Sequence, residues 1–151
     1  MPLAHGAVMA AGVKAVRRGE SSAPGELRGD FDLTRDLGTL YANTDCGIFG
    51  VWNEGDRPND LGAALPLASR EDVQEGRAQI LSTCSGSEVC AYEIEIEKIY
   101  GGSSPTRNLL LRVTDSALLA RTGGIVQGMS GSPIIQDGKL IGAVTHVCVN
   151  L

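Results

Sequence analysis

Apolar and polar residues alternate along residues 89–100 with the period of two that is typical of a β-strand. The apolar positions are Tyr92, Ile94 and Ile96. The intervening positions are Glu93, Glu95 and Glu97, which we expect to face solvent. The apolar run 78–83 precedes this strand across the turn Ser85-Gly86-Ser87-Glu88, and the two segments together predict a β-hairpin.

Short apolar runs predict further strands elsewhere in the chain. They lie at residues 37–41, 46–52, 108–113, 132–135 and 140–149. Asp137-Gly138 separates the last two and is a strong signal for a two-residue hairpin turn. Residues 7–18 fit a strand or a short helix, and periodicity does not decide between them. Composition predicts loops at residues 19–29, which contain Pro24-Gly25, and at residues 53–63.

One short helical turn is expected in the C-terminal half. Thr114-Asp115 begins it, it covers residues 116–121, and Gly123 ends it. The chain has 151 residues, of which 20 are glycine and only 4% are aromatic. This composition favours a turn-rich all-β fold with an aliphatic core and one helical turn. Both ends of the sequence resemble cut ends.

The net charge of −5 argues against a nucleic acid or an anionic membrane as the partner. The sequence contains no apolar run of about 18 residues, so no transmembrane helix is expected. The N-terminal residues lack the pattern of a signal peptide.

The four cysteines are Cys46, Cys84, Cys90 and Cys148. They contain no C-x-x-C pair, and the chain has two histidines, so neither a metal site nor a cofactor is expected. Cys84 and Cys90 flank the turn of the first hairpin. A cross-strand disulfide there is geometrically possible, but reduced thiols are the favoured interpretation.

Candidate chemistry centres on Gly128-Met129-Ser130-Gly131. A serine hydroxyl attacks a carbonyl only when a base removes its proton and donors bind the resulting oxyanion. Glycine at 128 permits the backbone angles with which the amides of Gly128 and Ser130 can converge on one oxygen. The α/β-hydrolase pattern G-x-S-x-G is excluded, because position 132 is serine and a strand follows. G-x-S-G alone is common, and by itself it favours a simple turn residue.

The segment 122–147, together with residues 24–31, 46–50 and 111–115, resembles the peptidase domain of the stage IV sporulation protein B (SpoIVB) family. The resemblance covers nearly the whole chain, and we expect residues 1–151 to be one such domain. It implies a serine endopeptidase with a chymotrypsin-like double β-barrel, here incomplete at both ends. Family members carry a membrane anchor and a PDZ domain before the peptidase, and neither is expected in this chain.

The resemblance also implies a role and a place. Such peptidases act between the two membranes around the forespore. There they cleave themselves and a membrane-protein partner, which leads to sigma factor activation. The expected partner is therefore a protein substrate, with no nucleic acid and no metal.

The resemblance assigns Ser130 as the nucleophile and Asp115 as the carboxylate that orients a catalytic histidine. It assigns the backbone amides of Gly128 and Ser130 to the oxyanion hole. Considered without the family, Asp115 is more simply a cap on the helical turn, although Thr114 can serve as the cap instead. The roles of cap and triad aspartate are compatible.

No histidine of the chain matches the triad position of the family as well as Ser130 and Asp115 do. His146 lies in the predicted return strand, where the family carries a histidine that is not part of the triad, and a packed or strand-face role is expected. His5 precedes a glycine, but the interval after it is shorter than in the family by roughly fifteen to twenty residues. We therefore expect the base to lie before Met1, with His5 as the alternative.

Without an imidazole, Ser130 keeps only binding and oxyanion stabilisation. The chain alone is expected to have little or no peptidase activity. An inactive β-barrel that binds a peptide at an exposed strand edge is the alternative interpretation.

Overall fold

A computed structural model of the chain describes residues 6–44, 47–55, 63–101 and 108–148. Most of the described residues lie in strands, with one short helix and a single 3-10 turn at Arg70–Asp72. The strands are β1 (Gly6–Arg17), β2 (Glu26–Thr44), β3 (Gly47–Trp52), β4 (Gly76–Ser82), β5 (Cys90–Ile99), β6 (Leu109–Val113), β7 (Pro133–Gln136) and β8 (Lys139–Ala143). The helix α1 covers Ser116–Thr122. The expected all-β class with one short helical segment is confirmed.

The strands form two antiparallel sheets with the orders β1-β2-β3 and β6-β5-β4-β7-β8. Within the described ranges neither sheet closes on itself, which agrees with the expected incomplete barrel. The chymotrypsin-like arrangement of two barrels stays a prediction. No helix in these ranges is long and apolar enough to cross a membrane.

The hydrophobic core lies on one face of the five-stranded sheet. Its alternating inward positions are buried as the sequence predicts, with Ile80, Ile94 and Ile96 at most 1% exposed. Helix α1 and the segment that follows it cover this face through Leu118, Val126 and Met129, which are at most 2% exposed. The segment that carries Ser130 is therefore part of the core packing.

The opposite face of this sheet is polar, as the alternation in β5 predicts. Glu93 and Glu97 are exposed and Glu95 is half-buried. Arg112 on β6 donates from Nε to Glu97 Oε1 at 2.6 Å and from Nη2 to Glu95. The acidic row is thus a solvated sheet face, and part of its charge is balanced by the neighbouring strand.

Hydrogen bonds near the end of β1 and the start of β2 join the three-stranded sheet to helix α1 and to the loop that follows it. Gly19 N donates to Thr122 O at 2.8 Å, and Leu27 N donates to Gln127 O at 2.8 Å. Farther along β1, Val13 and Gly86 exchange two backbone hydrogen bonds of 2.7 and 3.0 Å. The rest of the three-stranded sheet extends away from the core, and all six residues of β3 are exposed.

Several predicted boundaries were wrong. Residues 7–18, left open between strand and helix, form β1. The predicted loop at residues 19–29 ends at Gly25, because Glu26 begins the 19-residue strand β2. The return strand predicted over 140–149 ends at Ala143. Beyond it, Val144 bonds to the irregular Ser130 segment: Val144 N donates to Ser132 O, and its carbonyl accepts from Gly131 N.

Two turn predictions are confirmed in detail. Asp137 and Gly138 have φ values of +50° and +75°, and they connect β7 to β8 as the two-residue turn that such dipeptides favour. Gly123 ends α1 with a φ of +79° and donates its amide to Leu119 O at 2.9 Å. Cys46 and part of the predicted 53–63 loop lie outside the described residues.

Candidate active site

The segment between α1 and β7 is held by two buried anchors that alternate with exposed residues. Val126 and Met129 are 2% and 1% exposed, whereas Gly128 and Ser130 are exposed. Met129 N donates to Val126 O at 3.2 Å, which closes the turn between the anchors. The packing of Val126 and Met129 in the core therefore holds the hydroxyl of Ser130 at the surface.

Gly128 occupies a position that a larger residue does not fit. Its φ is +99°, a conformation that strains L residues. A Cβ built there would lie 3.0 Å from the Cβ of Leu27 at the start of β2. Leu27 is itself fixed, because its amide donates to Gln127 O, and Gln127 N donates to Gly25 O at 3.0 Å. The N-terminal sheet thus helps to shape the loop before Ser130.

The amides that the resemblance assigns to the oxyanion hole have no protein acceptor. Across the described part of the chain, neither Gly128 N nor Ser130 N donates a hydrogen bond to a backbone or side-chain oxygen. The neighbouring amides are all used: Met129 N, Gly131 N and Ser132 N bond to backbone carbonyls at 3.2, 2.8 and 3.0 Å. Two unused donors flanking Met129 are compatible with binding an anionic oxygen.

The hydroxyl of Ser130 lies next to the chain that follows β8. Its Oγ donates to the carbonyl oxygen of Thr145 at 3.4 Å, a long hydrogen bond. Sequence reasoning missed Thr145, since nothing in the sequence marks the residue whose main-chain oxygen meets the serine. An apolar groove of about 480 Å³ begins beside Ser130, at Gly131 and Pro133, and continues to Leu140 and Leu67.

Asp115 is fixed by hydrogen bonds from the backbone. Its Oδ1 accepts from Leu118 N at 2.9 Å, which makes it the N-cap of α1, and its Oδ2 accepts from Glu93 N at 3.4 Å. The amides of Thr114 and Asp115 both donate to Glu93 O, at 3.1 and 3.0 Å. The cap expected from the sequence is therefore formed by Asp115 and not by Thr114. A carboxylate has about four acceptor positions, so two stay available for another donor.

The sheet order places Asp115 and Ser130 at the same end of the five-stranded sheet. Asp115 follows β6 and Ser130 precedes β7, and three antiparallel steps separate these strands in the order β6-β5-β4-β7. The C-terminal end of β6 and the N-terminal end of β7 therefore lie on one side. In the described residues no hydrogen bond joins Asp115 to Ser130 directly.

Of the two histidines, the structure describes His146 alone. His5 lies outside the described residues. His146 is exposed, and its Nδ1 lies 3.0 Å from Thr145 Oγ1. The strand-face role expected for His146 was wrong, because β8 ends three residues earlier, at Ala143. Over the described ranges no cluster of three or more His, Cys, Asp or Glu residues could hold a metal ion.

Comparison with protein families gives one match over the full length of the sequence. Residues 1–151, the whole chain, match the family SpoIVB peptidase S55. The chain therefore belongs to the SpoIVB peptidase family. No curated protein and no solved structure matches it.

Proposed function

We propose that this chain is a serine endopeptidase domain in which Ser130 attacks the peptide carbonyl. The observation that carries the proposal is the Ser130 loop itself. Buried neighbours hold its exposed hydroxyl at the surface, Gly128 has the positive φ that favours glycine, and the amides of Gly128 and Ser130 have no acceptor among the described residues. Membership of a peptidase family supports the proposal that this loop takes part in peptide-bond hydrolysis.

In the proposed mechanism, the amides of Gly128 and Ser130 bind the oxyanion of the tetrahedral intermediate. Neither amide donates to an oxygen of the described residues, so binding the oxyanion breaks no hydrogen bond seen there. The Ser130 Oγ–H must leave Thr145 O and donate to a histidine, which removes the proton as the oxygen attacks. The histidine then protonates the leaving amine, and water hydrolyses the acyl-enzyme in the reverse sequence.

The proposed role of Asp115 is to accept from the second nitrogen of that histidine. Its carboxylate is held from two sides, by α1 and by β5, so its orientation is set before the imidazole arrives. This arrangement suits a group that fixes a tautomer. The capping bond does not compete, because it uses one lone pair of Oδ1.

The proposed biological role is that of the sporulation peptidases. We propose self-cleavage and cleavage of a membrane-associated regulator of sigma factor processing, in the space between the forespore membranes. The support is family membership. The apolar groove that begins at Gly131 is a suitable surface for apolar side chains of an extended protein substrate.

Labelling with a serine-directed phosphonate tests the nucleophile. We expect Ser130 to be labelled, Ser130→Ala to abolish labelling, and Ser132→Ala, a matched serine of the same loop, to retain it. If the base is absent from the chain, labelling is slow, free imidazole accelerates it, and His5→Ala and His146→Ala change nothing. Absence of label at Ser130 in folded protein, with and without imidazole, would overturn the proposal.

A second candidate function is a catalytically inactive module that binds a peptide by strand addition. Two observations favour it. The described imidazole, that of His146, contacts Thr145 rather than Ser130. Among the described strands, β3 pairs with β2 alone, and its six residues are uncharged and exposed at the sheet edge. This function predicts peptide binding that Ser130→Ala leaves unchanged and that proline at Phe49 or Val51 weakens.

A further inference from the structure

Two thiols converge at the turn between β4 and β5. The ladder pairs Ser82 with Cys90, and extending this register places Cys84 opposite Glu88. Cys84 and Cys90 are then diagonal neighbours on the core-facing side of the hairpin. Diagonal pairs have Cα atoms about 7–8 Å apart, and disulfides need about 4.4–6.8 Å. Closure therefore requires a shift of roughly 1 Å in a turn that contains Gly86.

The phenol of Tyr92 is a common neighbour of the two thiols. Tyr92 lies on the same face of β5, opposite Ile80. Burial raises the pKa of its phenol, and hydrogen bonds with the thiols of Cys84 and then Cys90 raise it further. This shared neighbour agrees with the strand register in placing both thiols on one face of the hairpin.

We propose that Cys84 and Cys90 form a thiol–disulfide exchange site, which small-molecule disulfides convert to an intrachain disulfide. Both cysteines are free thiols in this structure. Cys84 is 2% exposed, whereas Cys90 is half-exposed. This difference sets the order of the two steps, because an external disulfide reaches Cys90 first.

The reaction balances as two exchange steps. The Cys90 thiolate attacks one sulfur of the small-molecule disulfide, and the other sulfur leaves as a thiolate that takes up a proton. The Cys84 thiolate then attacks Cys90 Sγ in the mixed disulfide and releases the second small thiol. The two cysteines lose two electrons and two protons in total, and the external disulfide gains both.

The crosslink acts on the junction between the sheets. Gly86 lies between the two cysteines and exchanges both hydrogen bonds with Val13 of β1. The carbonyl of Cys84 also accepts from Arg121 Nη1 of α1 at 3.2 Å. A disulfide removes conformational freedom from this turn, so the Val13–Gly86 contact opens less often.

The test uses the full chain with Cys46→Ser and Cys148→Ser, which removes the other thiols, and oxidised glutathione as the probe. Endoproteinase Glu-C separates residues 76–88, with Cys84, from residues 89–93, with Cys90. We expect these peptides to remain joined after oxidation and to separate on reduction. Cys84→Ser is the matched control and should stop at a glutathione adduct on Cys90.

Hydrogen exchange gives the second readout. The amides of Val13 and Gly86 should exchange about tenfold more slowly in the oxidised chain than in the reduced chain. Separate peptides, or two glutathione adducts on an otherwise folded chain, would overturn the exchange site. Joined peptides with unchanged exchange at both amides would overturn its effect on the sheet junction.

Discussion

Replacing Gly128 with alanine tests how the N-terminal sheet shapes the loop that presents Ser130. At the φ of +99° found there, a residue with a Cβ is strained by about 1–3 kcal/mol. The new methyl group would also lie 3.0 Å from Leu27 Cβ, whose backbone is held by Gln127. Crowding of this kind adds about 1 kcal/mol. We expect Gly128→Ala to lower the free energy of unfolding by about 2–4 kcal/mol.

Gly131→Ala is the matched control. Gly131 has a similar φ of +89°, but an added Cβ would meet no atom within 4 Å. Gly131→Ala should lower the free energy of unfolding by the backbone strain alone, about 1–3 kcal/mol. The difference between the two variants therefore isolates the contact with Leu27.

Urea unfolding followed by circular dichroism measures both losses under identical conditions. Phosphonate labelling, performed well below the unfolding midpoint, should be about a hundredfold slower in Gly128→Ala. Alanine keeps the amide, but relaxation of the strained backbone turns it away from the oxyanion, which we expect to cost as much as one lost oxyanion donor. A Gly128→Ala chain as stable as Gly131→Ala would refute the packing argument. Unchanged labelling in folded Gly128→Ala would refute the role of the Gly128 amide.

Three further predictions concern the fold around the site. Asp115→Ala removes the cap of α1 and should lower the free energy of unfolding, measured in urea, by about 1 kcal/mol, whereas Asp115→Asn should keep the cap. If the carboxylate orients a base, both variants should slow the labelling of Ser130. Gly25→Ala should lower the free energy of unfolding by about 3 kcal/mol, because its methyl group would collide with neighbouring backbone. Gly101→Ala, whose methyl group would meet no atom of the described residues within 4 Å, should be neutral in the same assay. Hydrogen bonding to Lys139 holds the carboxyl pKa of exposed Asp72 below its ordinary value. The stabilisation by ionised Asp72 is present above the pKa of its carboxyl in the unfolded state, and it is lost as the pH falls through the pKa in the folded state. Asp72→Asn should therefore reduce the fall of the urea midpoint between about pH 5 and pH 2. An unaltered pH profile would contradict this.

The Asp115 prediction also separates the capping role that the structure shows from the proposed role of the carboxylate in positioning a base. Asparagine retains an oxygen that can accept from Leu118 N but lacks the negative charge. A stable Asp115→Asn chain with slow labelling would point to the carboxylate as a positioning group. A stable chain with unchanged labelling would leave Asp115 with its capping role alone.

The sequence by itself determined the elements that depend on residues close to one another in the chain. The alternation in β5 fixes which side chains are buried, because successive residues of a strand face opposite ways. Asp137-Gly138 fixes the β7–β8 turn, because both residues tolerate positive φ. The cap at Asp115 and the glycine at 123 fix the ends of α1. The glycine and serine pattern at 128–131 identified the loop that the fold presents at its surface.

The length of β2 was missed because its first half reads as a loop. Residues 26–37 are rich in charge and follow Pro24-Gly25, and their strand form depends on pairing with β1. The alternation of Leu27, Gly29 and Phe31 with charged residues is the signal that could have found it.

Only the tertiary structure decided how the residues of the candidate site are arranged relative to one another. The sheet order brings Asp115 and Ser130 to one end, although two strands lie between the strands that carry them. Contact with Leu27 requires glycine at 128, and Thr145 supplies the oxygen that accepts from Ser130 Oγ. These relations join residues from 15 to 101 positions apart in the sequence. Local propensity does not tell which residues so far apart in the chain become neighbours, because packing and sheet register decide this.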